Sequence, residues 1–206
     1  MNHGGSTGGM NDEFIASVTA AYEELYDPPT RTIWFTRTKQ PPEKCAVVVY
    51  VPTEAEQRDP DGNVTLIGTA GFGAESLCVD QPSELGVEIK GALDEHAVDS
   101  FAAALVELAS APVRTGRLFS DGQVLSGLTL PRFSRFTMAL LVDWDSVYGF
   151  RFPEPASAVG LLRIVPLFPE EVDFVENFED RHDAYRALIY RGLDATDPER
   201  APVVQS

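Results

Sequence analysis

The stretch LLRIVPLFPEEVDF, residues 161–174, constrains the architecture of this chain more than any other segment. Its first half is a nearly unbroken apolar run preceded by Gly160, a pattern typical of a strand covered on both faces. Pro166 is expected to end the hydrogen-bonding ladder of that strand. Pro169 suits the first position of a helix, and the two glutamates after it favour a helix N-terminus. The sequence therefore predicts a buried strand that leads directly into a helix.

Outside this stretch, the apolar pattern predicts further helices and strands. Helical spacing of apolar residues runs from Asn11 to the Pro28-Pro29 pair, from 98 to 109 and from 184 to 189. Segments rich in β-prone or alternating residues lie at 32–36, 45–51, 64–69, 85–90 and 138–144. Mostly consecutive strands with helices at both ends and in the middle predict a single α+β domain, with a mixed or mostly antiparallel central sheet and packed helices.

The two termini differ from the middle of the chain. Residues 1–10 contain four glycines and no apolar periodicity, so we expect a disordered tail there, and whether Met10 is the true start stays open. Gly192 is expected to stop the last helix. We therefore predict a folded domain at 11–193 and a flexible tail at 194–206. A chain of 206 residues that is 44% hydrophobic can bury one sizeable core.

Several of these segments together resemble the suppressor-of-fused family in order and spacing, across roughly residues 14 to 191. They are GTAGF at 68–72, LGVEI at 85–89, LPRFSRF at 130–136, MALLV at 138–142 and the stretch at 161–174. The resemblance is to a bacterial, single-domain member and implies a suppressor-of-fused-like fold. It also implies a protein-binding role. The animal family member is a negative regulator of Hedgehog signalling that clamps a peptide of a transcription factor, and bacterial members are proposed immunity proteins of toxin systems.

The charge of the chain narrows the class of partner. The formal net charge is -16, which argues against binding nucleic acid or anionic lipid through bulk electrostatics and favours a basic protein partner. The acidic residues concentrate in two segments, with eight acids against one arginine at 53–88 and ten acids against three arginines at 167–199. A solvated surface that only keeps the protein soluble is the alternative interpretation.

Neither a membrane span nor a disulfide framework is expected. No run approaches the roughly 20 apolar residues of a membrane helix, and the N-terminus lacks a basic region followed by an apolar core, so we expect a cytoplasmic protein. Cys45 and Cys78 fall on or beside apparent core segments and are more typical of small buried side chains than of a disulfide, although pairing stays open.

The sequence has only weak signatures of a catalytic, cofactor-binding or metal-binding site, and we predict no such site. Gly71-Phe72-Gly73 lacks the third glycine of a dinucleotide-binding loop and predicts a bend where the backbone leaves the sheet. His3, His96 and His182 have no Cys or His partner at metal-site spacing. His182 could act as a general base only if Ser76 or Cys78 came near it, and we expect a surface histidine instead. Alternation in the 85–90 strand predicts that Glu88 faces solvent.

Aromatic residues flanked by acids near the end of the 138–144 strand are the candidate binding site. Exposed aromatic anchors concentrate binding energy, and neighbouring carboxylates would attract a basic surface. The predicted partner-binding residues are Asp143, Trp144, Asp145, Tyr148, Phe150 and Phe152. The alternative is that these rings complete the core beneath the loop.

Three functions are compatible with the sequence. The first is a non-enzymatic protein-binding domain, for example an immunity protein that neutralises a basic toxin domain. The second is an enzyme with a pocket of dispersed residues, and the third is a scaffold or accessory domain. A deep pocket holding His96 or His182 with a buried carboxylate would favour the enzyme, whereas an acidic face with exposed aromatic rings would favour the binding protein.

Overall fold

The structure is a computed structural model, and it describes residues 7–26, 28–37, 43–59, 63–73, 83–112, 118–149, 151–154 and 156–204. Seven strands form one sheet. They are β1 (Arg31–Arg37), β2 (Glu43–Tyr50), β3 (Val64–Ala70), β4 (Ser83–Lys90), β5 (Val124–Ser126), β6 (Met138–Asp143) and β7 (Gly160–Leu167). The helices are α1 (Thr7–Tyr26), α2 (Glu95–Ala109), α3 (Trp144–Tyr148), α4 (Pro169–Glu176) and α5 (Arg181–Tyr190), with a short 3-10 turn at Glu56–Arg58.

The sheet is mixed, and its strand order is β1-β2-β3-β4-β7-β6-β5. The first four strands form an antiparallel meander. β4 and β7 pair in parallel, and β6 pairs antiparallel with both β7 and β5. The prediction of an α+β domain with a mixed sheet is therefore confirmed.

Helices cover both faces of the sheet. On one face, α2 and the segment before β6 pack on the sheet through large side chains such as Phe101, Phe133 and Phe136. On the other face, α1 covers the β2–β3 end through Ile15 and Tyr22. The same face is covered at the β6–β7 end by α4 and α5. This arrangement explains why the central strands are apolar on both sides.

The transition from β7 to α4 agrees with the prediction in most respects. β7 begins at Gly160, and α4 begins at Pro169, which occupies its first helical position. The side chain of Glu171 accepts a hydrogen bond from the backbone N–H of Phe168 at 2.9 Å and so caps the helix. Pro166 does not end the strand, because it still stands opposite Ala139 in the register with β6.

A buried carboxylate holds the bend after β3. Gly71 has a φ of +101°, which a side chain at this position would strain. Oε1 of Glu84 accepts the backbone N–H groups of Gly71 and Gly73, both at 2.8 Å, and its Oε2 accepts the Thr69 hydroxyl at 2.6 Å. The predicted bend at this glycine pair is thus confirmed, and Glu84, which is fully buried, stabilises it.

Both chain ends differ from the expectation. Helix α1 begins at Thr7, earlier than the Asn11 start that the apolar pattern indicates, and residues 1–6 lie outside the described part. Residues 194–204, expected to be flexible, lie against the domain, and Arg200 is only 8% exposed. The Arg200 guanidinium forms a buried ion pair with Glu171, and this pair holds the C-terminal residues against the domain. The spacing of the two residues in the sequence does not reveal the pair.

Candidate functional site

The predicted partner-binding residues lie where β6 passes into α3. Asp143 is the last residue of β6 and the N-cap of α3, and its Oδ1 accepts the backbone N–H of Asp145 at 3.2 Å. Gly149 ends the helix in a left-handed conformation. Local chemistry therefore explains why a short helix starts at this point and presents the two aspartates near the surface.

Two of the predicted aromatic anchors are in the core. Trp144 is fully buried, and Phe152 is 3% exposed and meets the ring of Tyr22 edge-on at 5.8 Å. They cannot act as exposed anchors in this conformation, which corrects the prediction for these two residues. Phe150 and the side chain of Tyr148 lie outside the described part of the structure, so their role stays a prediction.

Trp144 occupies this buried position because Gly86 on β4 leaves room for its ring. A Cβ at residue 86 would lie 2.5 Å from Cζ3 of Trp144, far inside van der Waals contact. We expect Gly86→Ala to lower the free energy of unfolding by about 1–3 kcal/mol, because the rigid ring must shift. Urea denaturation followed by circular dichroism measures this change. Gly91→Ala is a contrasting variant, since no atom lies within 4 Å of its added Cβ and only its positive φ opposes the change.

Three carboxylates, Asp121, Asp143 and Asp145, form what we call the acidic cluster. Asp121 accepts the backbone N–H of Asp143 through Oδ1 at 2.8 Å, and its Oδ2 bonds to Nε2 of His182 on α5. Asp145 pairs with the exposed Arg151 at 2.5 Å. The cluster thus joins the end of β6, the turn before β5 and the start of α5. Of the predicted site residues, the structure brings together Asp143 and Asp145.

Burial and the neighbouring groups act in both directions on the pKa of Asp143 in the acidic cluster. Partial burial raises the pKa of Asp143, and the negative charges of Asp121 and Asp145 raise it further. The backbone N–H of Asp145 and the positive character of His182 lower the same pKa. The net upward shift means that ionisation of the Asp143 carboxyl is less favourable here than in water.

The geometry offers little support for catalysis. His182 is bonded to Asp121, but Ser76 and Cys78, the candidate nucleophiles, lie outside the described residues. His96 is exposed at the start of α2, away from His182, and His3 is also outside the described part. Among the described residues, no group of three or more His, Cys, Asp or Glu side chains could hold a metal ion.

Sequence reasoning missed the buried charges on the sheet. Glu88, predicted to face solvent, is 7% exposed, and its Oε2 lies 2.6 Å from Nη2 of Arg163 on β7. Arg163 Nη1 also donates to the Tyr185 hydroxyl at 3.0 Å. The Glu88 prediction was wrong because alternation points to solvent only when one face of the sheet is bare. A lone arginine inside the apolar run LLRIV was the signal that a buried acid must accompany it.

Comparisons with known proteins agree with this architecture. No protein-family model and no curated protein matches the sequence. A putative SUFU (suppressor of fused protein) homolog from Neisseria gonorrhoeae, 17% identical, superposes with a TM-score of 0.66 over 95% of this chain and 99% of that chain. This chain has a suppressor-of-fused-like fold.

Two further structures share the suppressor-of-fused-like fold. One is a chain from a Sufu–Fu complex, 14% identical, with a TM-score of 0.58 over 93% of this chain and 91% of that chain. The other is Drosophila Suppressor of Fused, 14% identical, with a TM-score of 0.59 over 92% of this chain and 50% of that chain. The predicted resemblance is therefore confirmed at the level of the fold. In the described part of the chain, no helix has the length and apolar character needed to cross a bilayer.

Proposed function

We propose that this protein is a non-enzymatic protein-binding domain. The observation that supports this most is the fold shared over nearly the whole chain with suppressor-of-fused structures, one of which comes from a Sufu–Fu complex. A fold alone does not define a function. The acidic cluster adds support from the site itself.

The partner we propose is a basic protein. The chain carries a formal charge of -16, and burial, with smaller contributions from the carboxylates of Asp121 and Asp145, raises the pKa of Asp143, so approach of a cation is favourable there. Complementary charge of this kind mainly accelerates association and selects the partner. Tyr148 and Phe150, next to the cluster in sequence, would supply the apolar contact that holds the partner.

The finer proposal is that the protein is a bacterial, cytoplasmic immunity protein. Its partner would then be a toxin domain with a basic surface, neutralised by occlusion. Growth of cells that produce the toxin domain, with and without this protein, tests that step. Loss of protection when Asp143 and Asp145 are neutralised would support it, and toxicity that persists despite tight binding would contradict it.

The binding proposal is tested by neutralising the two aspartates together. The wild-type protein is first used to capture its partner from native extract at low and high salt. Asp143→Asn with Asp145→Asn is then expected to weaken the affinity about 10-fold or more, chiefly through slower association, as measured by biolayer interferometry. Asparagine remains a good helix N-cap, so α3 should be preserved.

The matched control removes two acids elsewhere. Asp12→Asn with Glu13→Gln, at exposed positions of α1, changes the net charge equally and is expected to alter the affinity less than about 2-fold at 0.15 M salt. Equal weakening by both double variants would show that only overall charge matters. An empty capture under both salt conditions would contradict the binding proposal.

A further inference from the structure

The edge strand β1 is unusually open. It lies at one end of the sheet, and among the strands that the structure describes only β2 pairs with it, along all seven residues. The opposite edge strand, β5, has only three residues. A long edge strand presents a row of backbone N–H and C=O groups that can pair with another strand, and short edges avoid this.

The outer part of β1 also exposes an aromatic ring. Ile33 and Phe35 pack against the core on the α2 side of the sheet, whereas Trp34 on the other face is 57% exposed. Thr36, two residues along on that face, is exposed as well. Proteins seldom leave a tryptophan exposed on an unpaired edge strand unless another segment or another chain covers it.

The sequence of β1, RTIWFTR at 31–37, reads nearly the same in both directions. An antiparallel pair of two such strands about Trp34 would place Trp34 opposite Trp34, Ile33 opposite Phe35 and Thr32 opposite Thr36. Aromatic, aromatic–aliphatic and Thr–Thr pairs directly across two strands are favourable pairings. Because a two-fold interface requires a self-complementary surface, this strand has the pattern that such an interface needs.

We propose that β1 pairs antiparallel with β1 of a second copy of this chain, about a two-fold axis through Trp34. The two seven-stranded sheets then join into one continuous sheet. This goes beyond the proposed function, because it uses the sheet edge opposite β5, far along the sheet from the acidic cluster next to β6. The pairing involves one strand from each copy, so the interface is small and the dimer is weak.

Charge at the ends of β1 fits a second copy. In the proposed register, Arg37 of one copy stands opposite Arg31 of the other, a like-charge pair that would oppose association by itself. Oδ1 of Asp99 on α2 lies 2.9 Å from Nη2 of Arg31, and the Asp99 side chain is 54% exposed. In this register each Asp99 therefore lies beside two arginine positions, residue 31 of its own copy and residue 37 of the second copy, and its negative charge offsets both; the two sites are equivalent by symmetry.

An extended acidic peptide is the rival occupant of this edge. Residues 31–44 carry four basic residues and one acid in a chain that is otherwise strongly acidic. That partner would not need the two-fold pattern of the strand, and it would bind better when Asp99 is neutralised. A second copy would bind worse after the same change, so the two occupants predict opposite effects of Asp99→Asn.

Cysteine cross-linking tests the register directly. In a Cys78→Ser background, Thr32→Cys protein and Thr36→Cys protein are mixed at about 200 μM under mild oxidation. Directly opposed residues have Cα atoms about 4.5–5.5 Å apart, within the range of disulfides, whereas two copies of residue 32 would be about 14 Å apart. We expect a disulfide dimer from the mixture and at least 10-fold less from either protein alone. Equal cross-linking in all samples, or none in any, would overturn the proposal.

Sedimentation equilibrium of the intact protein gives an independent measurement. Wild type is expected to dimerise, Asp99→Asn to dimerise about 3–10-fold more weakly, and Trp34→Lys to remain monomeric because two ammonium groups meet on the axis. Tyr190→Lys, at a 91% exposed aromatic on α5, is the matched control and should behave as wild type. A wild-type monomer at 1 mM, or stronger association of Asp99→Asn, would contradict pairing with a second copy, and the latter would point to an acidic ligand.

Discussion

Arg200→Ala is expected to lower the free energy of unfolding by about 3–5 kcal/mol, because it leaves the buried Glu171 carboxylate without its counter-ion. Glu171 is fully buried, and both of its oxygens accept from the Arg200 guanidinium, at 2.6 and 2.7 Å. Arg200 also donates to the Pro166 carbonyl at 2.8 Å and stacks near the Phe136 and Phe168 rings. Chemical denaturation followed by circular dichroism and tryptophan fluorescence gives the measurement.

Two further variants serve as comparisons with Arg200→Ala. Arg200→Lys keeps the charge but loses the two parallel hydrogen bonds, so an intermediate loss is expected. Arg186→Ala removes an arginine whose ion pair with Asp183 is more than 60% exposed on both sides, and its cost should be about 0–1 kcal/mol. A cost for Arg200→Ala as small as that for Arg186→Ala would contradict the inferred role of residues 194–204.

Residues 194–204 pack against the β7–α4 transition and stabilise it. Besides Arg200, the backbone N–H of Val203 donates to Glu171 at 2.9 Å. Arg135, in the segment before β6, donates to the backbone carbonyls of Glu199 and Arg200, at 3.0 and 3.2 Å. One buried carboxylate therefore caps α4 and fixes the end of the chain at once, which explains why loss of its partner should be costly.

Trp144→Ala is expected to cost about 3–5 kcal/mol of unfolding free energy, because it empties a large space in the core. The ring is fully buried in the cluster that includes α1 side chains and lies directly over Gly86. Trp34→Ala, which removes a 57% exposed ring, should change the stability by less than about 0.5 kcal/mol at low protein concentration. Thermal and urea unfolding of the two variants give the comparison.

A double-mutant cycle tests whether Trp144 and Gly86 share one space. The methyl group of Gly86→Ala clashes with the ring but fits the cavity left by Trp144→Ala. The double variant should therefore be more stable than the sum of the single losses indicates. If Trp144→Ala instead weakened partner capture without changing the unfolding free energy, the residue would act as a binding anchor and its core placement would be contradicted.

The sequence predicted the strand–helix transition at 161–174 and most of the other strands and helices, but neither β5 nor the short helix α3. Strong local signals were present, such as Pro169 at the first position of a helix and long apolar runs in the strands. The suppressor-of-fused resemblance rested on the same core segments, which is why it predicted the fold. Core segments are constrained by burial, so their pattern carries fold information but little about a partner.

The candidate site was predicted less well, for a physical reason. An aromatic residue beside aspartates has the same sequence pattern whether its ring is exposed or buried. Trp144 is buried because Gly86, which is 58 positions earlier in the sequence, lacks a side chain. Asp121 and Asp143 of the acidic cluster are also distant in sequence, and only the pairing of β5 with β6 brings them together.

The sequence by itself determined most of the strand and helix segments, the α+β class and the nearly symmetric segment RTIWFTR, since these follow from local patterns of residues, and it also set the strong negative charge. Only the tertiary structure decided which charges are buried and paired, which aromatic rings are exposed and which strand lies at the edge. Contacts such as Glu88 with Arg163 and Glu171 with Arg200 join residues far apart in the chain. Their free energy depends on burial and distance, which local sequence does not specify.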